Sequence, residues 1–125
     1  MSVTIYHNPG CGTSRNVLAT IRAAGETPQV VEYVKAGWTR SQLTSLFGAA
    51  GLTAREALRG KSDLADELGL RGPGVSEDAI LKAMVEHPGL VERPFVVAAK
   101  GTALCRPAEK VLALLDNPPA VVVRV

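Results

Sequence analysis

The residues best suited to chemistry form one stretch near the start of the chain, His7-Asn-Pro-Gly-Cys-Gly-Thr-Ser-Arg-Asn16. Its cysteine, Cys11, has a glycine on either side and lies between an apolar strand pattern and an amphipathic helix pattern. A helix start offers unpaired backbone N–H groups and a partial positive charge, which favour a thiolate and an oxyanion beside it. Free cysteines are often small buried hydrophobes, but the Pro-Gly-Cys-Gly sequence is typical of a loop. The stretch therefore predicts that Cys11 is a nucleophile facing a bound anion.

Hydrophobic periodicity predicts the elements that would hold Cys11 in place. Residues 3–6 are apolar and β-branched, as in a short buried strand, and residues 13–24 repeat apolar side chains along one helix face up to Gly25. Residues 28–34 predict a second strand. A strand–helix–strand run with short joints implies two parallel strands.

Helix signals follow in the middle of the chain. Thr39-Arg-Ser-Gln42 and Thr53-Ala-Arg-Glu56 are capping boxes, and Ser76 precedes a helix with an acidic first turn. Residues 62–68 predict one or two further helical turns, whereas residues 71–74 have the composition of a loop. This region is therefore a helical block.

Strand signals return in the last third. Residues 94–99 and 102–106 predict an antiparallel hairpin with its turn at Lys100-Gly101. Pro107 suits the first turn of a closing helix. Residues 120–125 are apolar enough for either a strand or a docked tail, with no assignable partner.

The order of elements predicts one α/β domain with a thioredoxin-like core. The core would comprise residues 1–35 and 92–117 in β-α-β-β-β-α order with a mixed sheet, interrupted after the second strand by a helical insert at 38–88 and followed by a tail at 118–125. Other small α/β folds share this pattern. A thioredoxin-like fold places the active cysteine after the first strand, as here, and a cis-proline at the start of the third, for which Pro94 is the candidate.

Composition restricts the function further. The 125 residues carry 14 Lys and Arg against 12 Asp and Glu, a net charge of +2 that does not predict nucleic-acid binding. No apolar stretch could span a bilayer and no signal peptide is evident, so we expect a cytoplasmic protein. Two isolated cysteines, no metal-ligand spacing and no nucleotide-binding glycine pattern predict neither a disulfide framework, nor a metal, nor a tightly bound cofactor.

The stretch from His7 to Asn16 closely resembles the active-site segment of the ArsC-type arsenate reductases, the class regenerated by glutathione and glutaredoxin. Three distant segments resemble the same family in matching order: Ala57-Leu-Arg59, Glu92-Arg-Pro-Phe-Val-Val97 and Gly101-Thr-Ala-Leu-Cys-Arg-Pro107. The resemblance runs from residue 1 to about 116 and ends at a shorter, Val-rich tail.

The resemblance implies roles for particular residues. Cys11 would be the nucleophile, His7 would favour its thiolate, and Arg59, Arg93 and Arg106 would bind the oxyanion. Arginine forks suit tetrahedral oxyanions and stabilise charge in the transition state. The supporting loop residues would be Asn8, Gly12, Thr13, Ser14, Arg15 and Pro94.

The same resemblance implies the reaction. Arsenate would react with the Cys11 thiolate, glutathione would add as a second thiol, glutaredoxin would supply electrons, and arsenite would leave; phosphate would compete for the site. Ser14 stands where a CxxC motif has its resolving cysteine, in agreement with an external thiol. If Arg106 faces the anion, its strand neighbour Cys105 should face away, as a structural thiol. We expect a monomer.

Three alternatives remain at this point. A regulator of the Spx type would share the fold but recognise partners without turnover, and many such proteins carry CxxC, which this chain lacks. A related reductase acting on another substrate would keep Cys11 with an incomplete arginine set. A plain glutaredoxin is disfavoured because it does not explain the helical block.

Overall fold

Four short strands form one mixed sheet: β1 (Thr4–His7), β2 (Gln29–Glu32), β3 (Phe95–Ala98) and β4 (Gly101–Leu104). The computed structural model describes residues 2–125, so residue 1 of the predicted domain lies outside the described residues. The sheet order is β2-β1-β3-β4, with β1 parallel to β2 and antiparallel to β3, and with β3 antiparallel to β4. The predicted α/β fold with a mixed sheet is therefore confirmed.

The described residues group into two compact units. One comprises the residues up to Glu32 together with Arg93–Val125, and the other is Tyr33–Glu92. The first contains the sheet and helix α1 (Gly12–Ala23). Its core includes a buried cluster of apolar residues from the strands, α1 and the C-terminal region: Val3, Ile5, Val17, Ile21, Val96, Cys105, Ala108, Val111, Leu115 and Val122.

The second unit consists mainly of helices: α2 (Tyr33–Ala36), α3 (Arg40–Ala50), α4 (Ala54–Ala57), α5 (Asp63–Glu67) and α6 (Glu77–Glu86). Both predicted capping boxes are confirmed, with Thr39 and Thr53 as the N-caps of α3 and α4. Ser76 caps α6 by accepting a hydrogen bond from the Ala79 N–H. Gly51 ends α3 in the left-handed conformation, with φ of 71°, which a residue with a side chain rarely adopts.

The second strand is shorter than predicted. It ends at Glu32, and Tyr33 and Val34 begin α2 instead. The ring of Tyr33 is buried and stacks on Trp38 with centroids 5.1 Å apart, and its hydroxyl donates to the Val91 carbonyl at 3.1 Å. The apolar, β-prone sequence extends to Val34, whereas the strand ends at Glu32 and the buried Tyr33 begins the helix.

The closing helix also differs from the prediction. Residues Ala108–Leu114 form a 3-10 helix, and Pro107 is its N-cap rather than a first-turn residue. The buried residues Ala108 and Val111 are three positions apart, which matches the three-residue turn of a 3-10 helix.

The C-terminal tail is docked and forms no strand. The Val123 N–H donates to Thr20 Oγ1 at 2.9 Å, and the Val125 N–H donates to Asn16 Oδ1 at 2.9 Å. Val122 is buried in the core of the same unit. The partner of the tail is therefore helix α1. Across residues 2–125, no helix has both the length and the apolar character that crossing a membrane would require.

Candidate active site

A tight turn built around Asn8 sets the position of Cys11. The Asn8 carbonyl accepts from the Cys11 N–H at 3.0 Å, and the Asn8 side-chain Oδ1 accepts from the Gly10 N–H at 2.9 Å. A Cβ atom on Gly10 would lie 3.2 Å from that Oδ1, closer than most Cβ contacts, so glycine allows the side chain to approach. These two hydrogen bonds fix the backbone of the loop between β1 and α1 up to Cys11.

Cys11 is the N-cap of α1. Its backbone is extended, with φ of −101° and ψ of 123°, and its carbonyl accepts from the Arg15 N–H at 3.0 Å. Within residues 2–125 no side-chain hydrogen bond caps this helix start, so the first-turn N–H groups, including those of Gly12 and Thr13, are available to an anion. Cys11 is a free cysteine of intermediate exposure.

Arg15 crosses the start of the helix. Its Nη1 donates to the Pro9 carbonyl at 2.9 Å, and its Nη2 lies 3.6 Å from where a Cβ of Gly12 would be. The guanidinium group of Arg15 therefore lies beside Gly12, the first residue of α1.

His7 and Ser14 form a buried pair behind this loop. Their Nδ1 and Oγ atoms are 2.6 Å apart, and the Asn8 N–H donates to the same Oγ at 3.1 Å. Since Oγ accepts from Asn8, its own proton is available for Nδ1, which fits a neutral imidazole protonated on Nε2.

Burial lowers the pKa of His7 below its ordinary value of 6.5, with Arg22 and Arg15 acting in the same direction and Glu32 opposing them. The neutral imidazole is therefore the main form at neutral pH. His7 is seen to contact Ser14, and its effect on the thiolate stays a prediction.

The structure brings the side chain of Arg106 to the sulfur of Cys11. Its Nη1 lies 3.7 Å from Cys11 Sγ and donates also to the Arg93 carbonyl at 3.3 Å. Arg106 is exposed and Cys11 has intermediate exposure, which leaves both residues open to a small anion. The geometry places a thiol beside a cation, an arrangement that suits oxyanion chemistry.

Arg93 lies on the same unit but is almost fully buried, with 3% of its surface exposed. Its Nε and Nη1 atoms have no hydrogen-bond acceptor among residues 2–125, although the residue makes other interactions. The Arg93-Pro94 peptide bond, which leads into β3, is cis, and so is the Arg106-Pro107 bond.

Cys105 is a free, fully buried thiol in the core, which confirms the prediction of a structural cysteine. Its N–H donates to the Pro94 carbonyl at 2.8 Å, so the hairpin continues one residue beyond the end of β4 at Leu104. Burial raises the pKa of the Cys105 thiol from 9.0 to about 12, and the charge of Lys110 acts in the opposite direction. Neither its position nor its ionisation suits it to resolve a bond at Cys11.

Arg59 belongs to the second unit, where it follows α4 and is exposed. Its N–H donates to the Leu90 carbonyl at 2.8 Å, and its own carbonyl accepts from Arg71 Nη2 at 2.6 Å. The sequence did not predict the contact with Arg71, because residues 71–74 show only the composition of a loop. A local pattern carries no signal for a contact made 12 positions away.

No group of three or more His, Cys, Asp or Glu side chains that could hold a metal ion occurs in residues 2–125.

Comparison with known proteins gives concordant matches over nearly the whole chain. Residues 6–114 match the model of the ArsC family. The chain is 58% identical over 118 residues to arsenate reductase ArsI2 of Synechocystis sp., covering 94% of this chain and 84% of that protein. It is 57% identical to an arsenate reductase of Rhizobium meliloti, with 94% and 84% covered.

Among solved structures, an arsenate reductase from Vibrio cholerae superposes with a TM-score of 0.87 at 42% identity. The match covers 92% of this chain and 98% of that one. The similarity therefore includes the fold as well as the sequence.

Proposed function

The chain belongs to the ArsC family, and we propose that it is an arsenate reductase, an oxidoreductase that converts arsenate to arsenite. Relatives that carry this name match the chain at more than half of the aligned positions. The observation that carries the proposal is the approach of Arg106 Nη1 to within 3.7 Å of Cys11 Sγ at an uncapped helix start.

Binding of arsenate is assigned to three arginines. Arg106 would hold the oxyanion beside the sulfur, and Arg93 would add a second positive charge in the same unit. Arg59 is proposed as the third on the strength of the Ala-Leu-Arg segment in which it lies. Guanidinium groups match the oxygens of a tetrahedral oxyanion geometrically and stabilise charge that develops as the thiolate attacks.

The first step forms a sulfur–arsenic bond and breaks an arsenic–oxygen bond. The Cys11 thiolate attacks arsenic, and the displaced oxygen leaves as water after taking up two protons. Arsenic stays pentavalent in this adduct. The first-turn N–H groups of α1 and the guanidinium group of Arg106 would stabilise the negative charge on the remaining oxygens.

Reduction requires two external thiols. Glutathione would displace a second oxygen from arsenic, again as water. A glutaredoxin thiolate would then attack the glutathione sulfur and form a mixed disulfide, and the electron pair of the arsenic–sulfur bond would remain on arsenic as As(III). Water would finally release arsenite and regenerate Cys11. The serine at position 14 and the buried thiol of Cys105 support an external second thiol.

His7 would act from behind the loop. As a neutral residue bonded to Ser14, it orders the segment that ends at Cys11, since Ser14 Oγ also receives the Asn8 N–H. This role needs no direct contact with the sulfur.

The experiment is a coupled assay of arsenate-dependent NADPH oxidation with glutathione, glutathione reductase and glutaredoxin, run in parallel with thioredoxin and thioredoxin reductase. We expect turnover in the glutaredoxin arm and competitive inhibition of that turnover by phosphate. Turnover in the thioredoxin arm alone would contradict the proposed electron donor. No arsenate-dependent oxidation in either arm would contradict the reductase and favour a binding protein of the Spx type.

We also propose that the enzyme is a cytoplasmic monomer with no tightly bound cofactor and that it serves arsenic detoxification and arsenical resistance. Light scattering of the purified chain tests the monomer. Loss of arsenate tolerance on deletion of the gene, restored by the wild-type chain, tests the physiological role.

A further inference from the structure

The helix that precedes Arg59 is held at its start by a carboxylate from α6. Glu77 accepts from the N–H groups of Ala54 at 2.7 Å and Arg55 at 3.1 Å, in addition to the capping box of Thr53. A short helix such as α4 has little stability of its own, so these charge-assisted bonds define where it begins.

In the segment that follows α4, residues 58–60, the backbone N–H groups of Arg59 and Gly60 are hydrogen-bonded. Leu58 forms an antiparallel bridge with Val91, and the Arg59 N–H donates to the Leu90 carbonyl at 2.8 Å. The Gly60 N–H donates to Glu92 Oε2 at 3.2 Å. These bonds leave the carbonyl groups of the same two residues to be satisfied from elsewhere.

Arg71 satisfies both carbonyls. Its Nη2 donates to Arg59 O at 2.6 Å and to Gly60 O at 3.0 Å, and its Nε donates to Asp66 Oδ1 at 2.9 Å. The ion pair with Asp66 orients the guanidinium group, and the two carbonyls are consecutive along the chain. A planar fork held in this way fixes the orientation of the Arg59 peptide plane.

The loop that carries Arg71 is itself fastened to α4. Arg55 donates to the carbonyl oxygens of Arg71 at 3.4 Å, Gly72 at 3.1 Å and Val75 at 2.7 Å. Arg55 on α4 therefore bonds to the loop, and Arg71 on the loop bonds to the segment that follows α4. All of these contacts lie within the second unit.

We propose that Arg71 is a positioning residue that fixes the backbone of Arg59 and so determines how Arg59 presents its guanidinium group to the oxyanion. The inference rests on the proposed function, since it needs Arg59 to bind arsenate. The physical reason is that a long exposed side chain loses less freedom on binding when its own peptide is already ordered. A small misplacement of a binding group also lowers the rate steeply.

The test is a double-mutant cycle on arsenate reduction. Arg71→Ala should lower kcat/KM for arsenate roughly 10-fold or more and weaken inhibition by phosphate to a similar extent. Arg71→Lys keeps the charge without the fork and should recover part of the loss. In an Arg59→Ala background, Arg71→Ala should change kcat/KM by less than about twofold, because an indirect effect disappears with the residue through which it acts.

The matched control is Arg40→Ala. Arg40 is an exposed arginine of the same unit, and its guanidinium group pairs with the Asp78 carboxylate. This variant should keep wild-type kinetics. If Arg71→Ala fails to fold, Asp66→Asn is the second variant, since it weakens the anchor of Arg71 while leaving its carbonyl bonds possible, and it should lower kcat/KM by a smaller factor.

Wild-type kinetics in Arg71→Ala, or in Asp66→Asn where that variant is needed, would overturn the inference alone, and so would an equal loss in the Arg59→Ala background. Wild-type kinetics in Arg59→Ala would also overturn it, because Arg71 would then have no binding residue to position. Absence of arsenate turnover in the wild-type chain would instead overturn the proposed function.

Discussion

The Nη1 atom of Arg106 lies 3.7 Å from the Sγ atom of Cys11, although the two residues are 95 positions apart. The hairpin of β3 and β4 delivers Arg106 to this place, and the bond from the Cys105 N–H to the Pro94 carbonyl extends the hairpin to the residue before it. One guanidinium group is thus placed to stabilise both a thiolate and an oxyanion that approaches it.

Replacement of Arg106 should strongly impair arsenate reduction. Arg106→Ala is expected to lower kcat/KM by about 10²- to 10³-fold, the usual effect of removing one oxyanion donor. Arg106→Lys should recover only part of this loss, because an ammonium group cannot form the planar fork. Steady-state kinetics with varied arsenate measure both effects.

The control for Arg106 is Arg124→Ala. Arg124 is an exposed arginine of the same unit that pairs with Glu109 at 2.6 Å, and its loss should leave kcat/KM within about twofold of wild type. An equal loss in both variants would mean that Arg106 acts through general charge rather than through its place beside the sulfur.

Cys105 should be dispensable for catalysis and unreactive in the folded chain. Burial that raises its pKa to about 12 keeps it as a neutral thiol at working pH. Iodoacetamide at about pH 7 should add one group, at Cys11, and two groups once the chain is unfolded. Cys105→Ala should keep arsenate turnover within about twofold of wild type. A disulfide between the two cysteines found by mass spectrometry during turnover would contradict this.

The stability of the fold should fall in mild acid because of His7. Its pKa in the folded chain is below the unfolded value of 6.5, so between these two values the unfolded chain binds the extra proton. The free energy of unfolding contributed by His7 is therefore fully present above about pH 6.5, falls as the pH decreases towards the folded-state pKa, and then levels off.

Urea unfolding of wild type and His7→Gln over a range of pH isolates this contribution. The difference in unfolding free energy between the two should shrink below about pH 6.5. If the difference in unfolding free energy between wild type and His7→Gln does not change with pH, protonation of His7 does not destabilise the folded state.

The docking of the tail depends on Thr20. This buried hydroxyl donates to the Asn16 carbonyl at 2.8 Å and accepts from the Val123 N–H at 2.9 Å. Thr20→Val has nearly the same shape but removes the acceptor, so hydrogen exchange at Val123 should become faster by about tenfold or more. Thr20→Ser keeps the hydroxyl and should retain most of the protection. Equal exchange in both variants would argue against this bond as the anchor.

Local chemistry was enough to predict most of the elements. The capping boxes at Thr39 and Thr53 and the serine cap at Ser76 each depend on residues three positions apart, and all three occur as predicted. The end of β2 was not predictable in the same way. Tyr33 is buried and its hydroxyl donates to the Val91 carbonyl 58 positions away, a tertiary contact that local propensity does not reveal, and Tyr33 and Val34 are helical.

In the candidate site too, local sequence predicts some features, and others depend on tertiary contacts. Cys11 at a helix start could be predicted from its flanking glycines and from the periodicity on either side. The approach of Arg106 to the sulfur depends on how the strands pair, so the residues alone did not establish it. The bond from Arg71 to Arg59 and the docking of the tail on α1 have no local pattern at all, because each joins a polar side chain to a distant backbone atom.

The most direct measurement of the central claim is glutaredoxin-coupled arsenate reduction by Cys11→Ser beside Cys105→Ala. A hydroxyl at position 11 cannot form the sulfur–arsenic adduct, so Cys11→Ser should have no turnover above the protein-free rate, while Cys105→Ala should remain active. Circular dichroism of both variants should show the wild-type fold. Wild-type turnover by Cys11→Ser would contradict the assignment of Cys11 as the nucleophile.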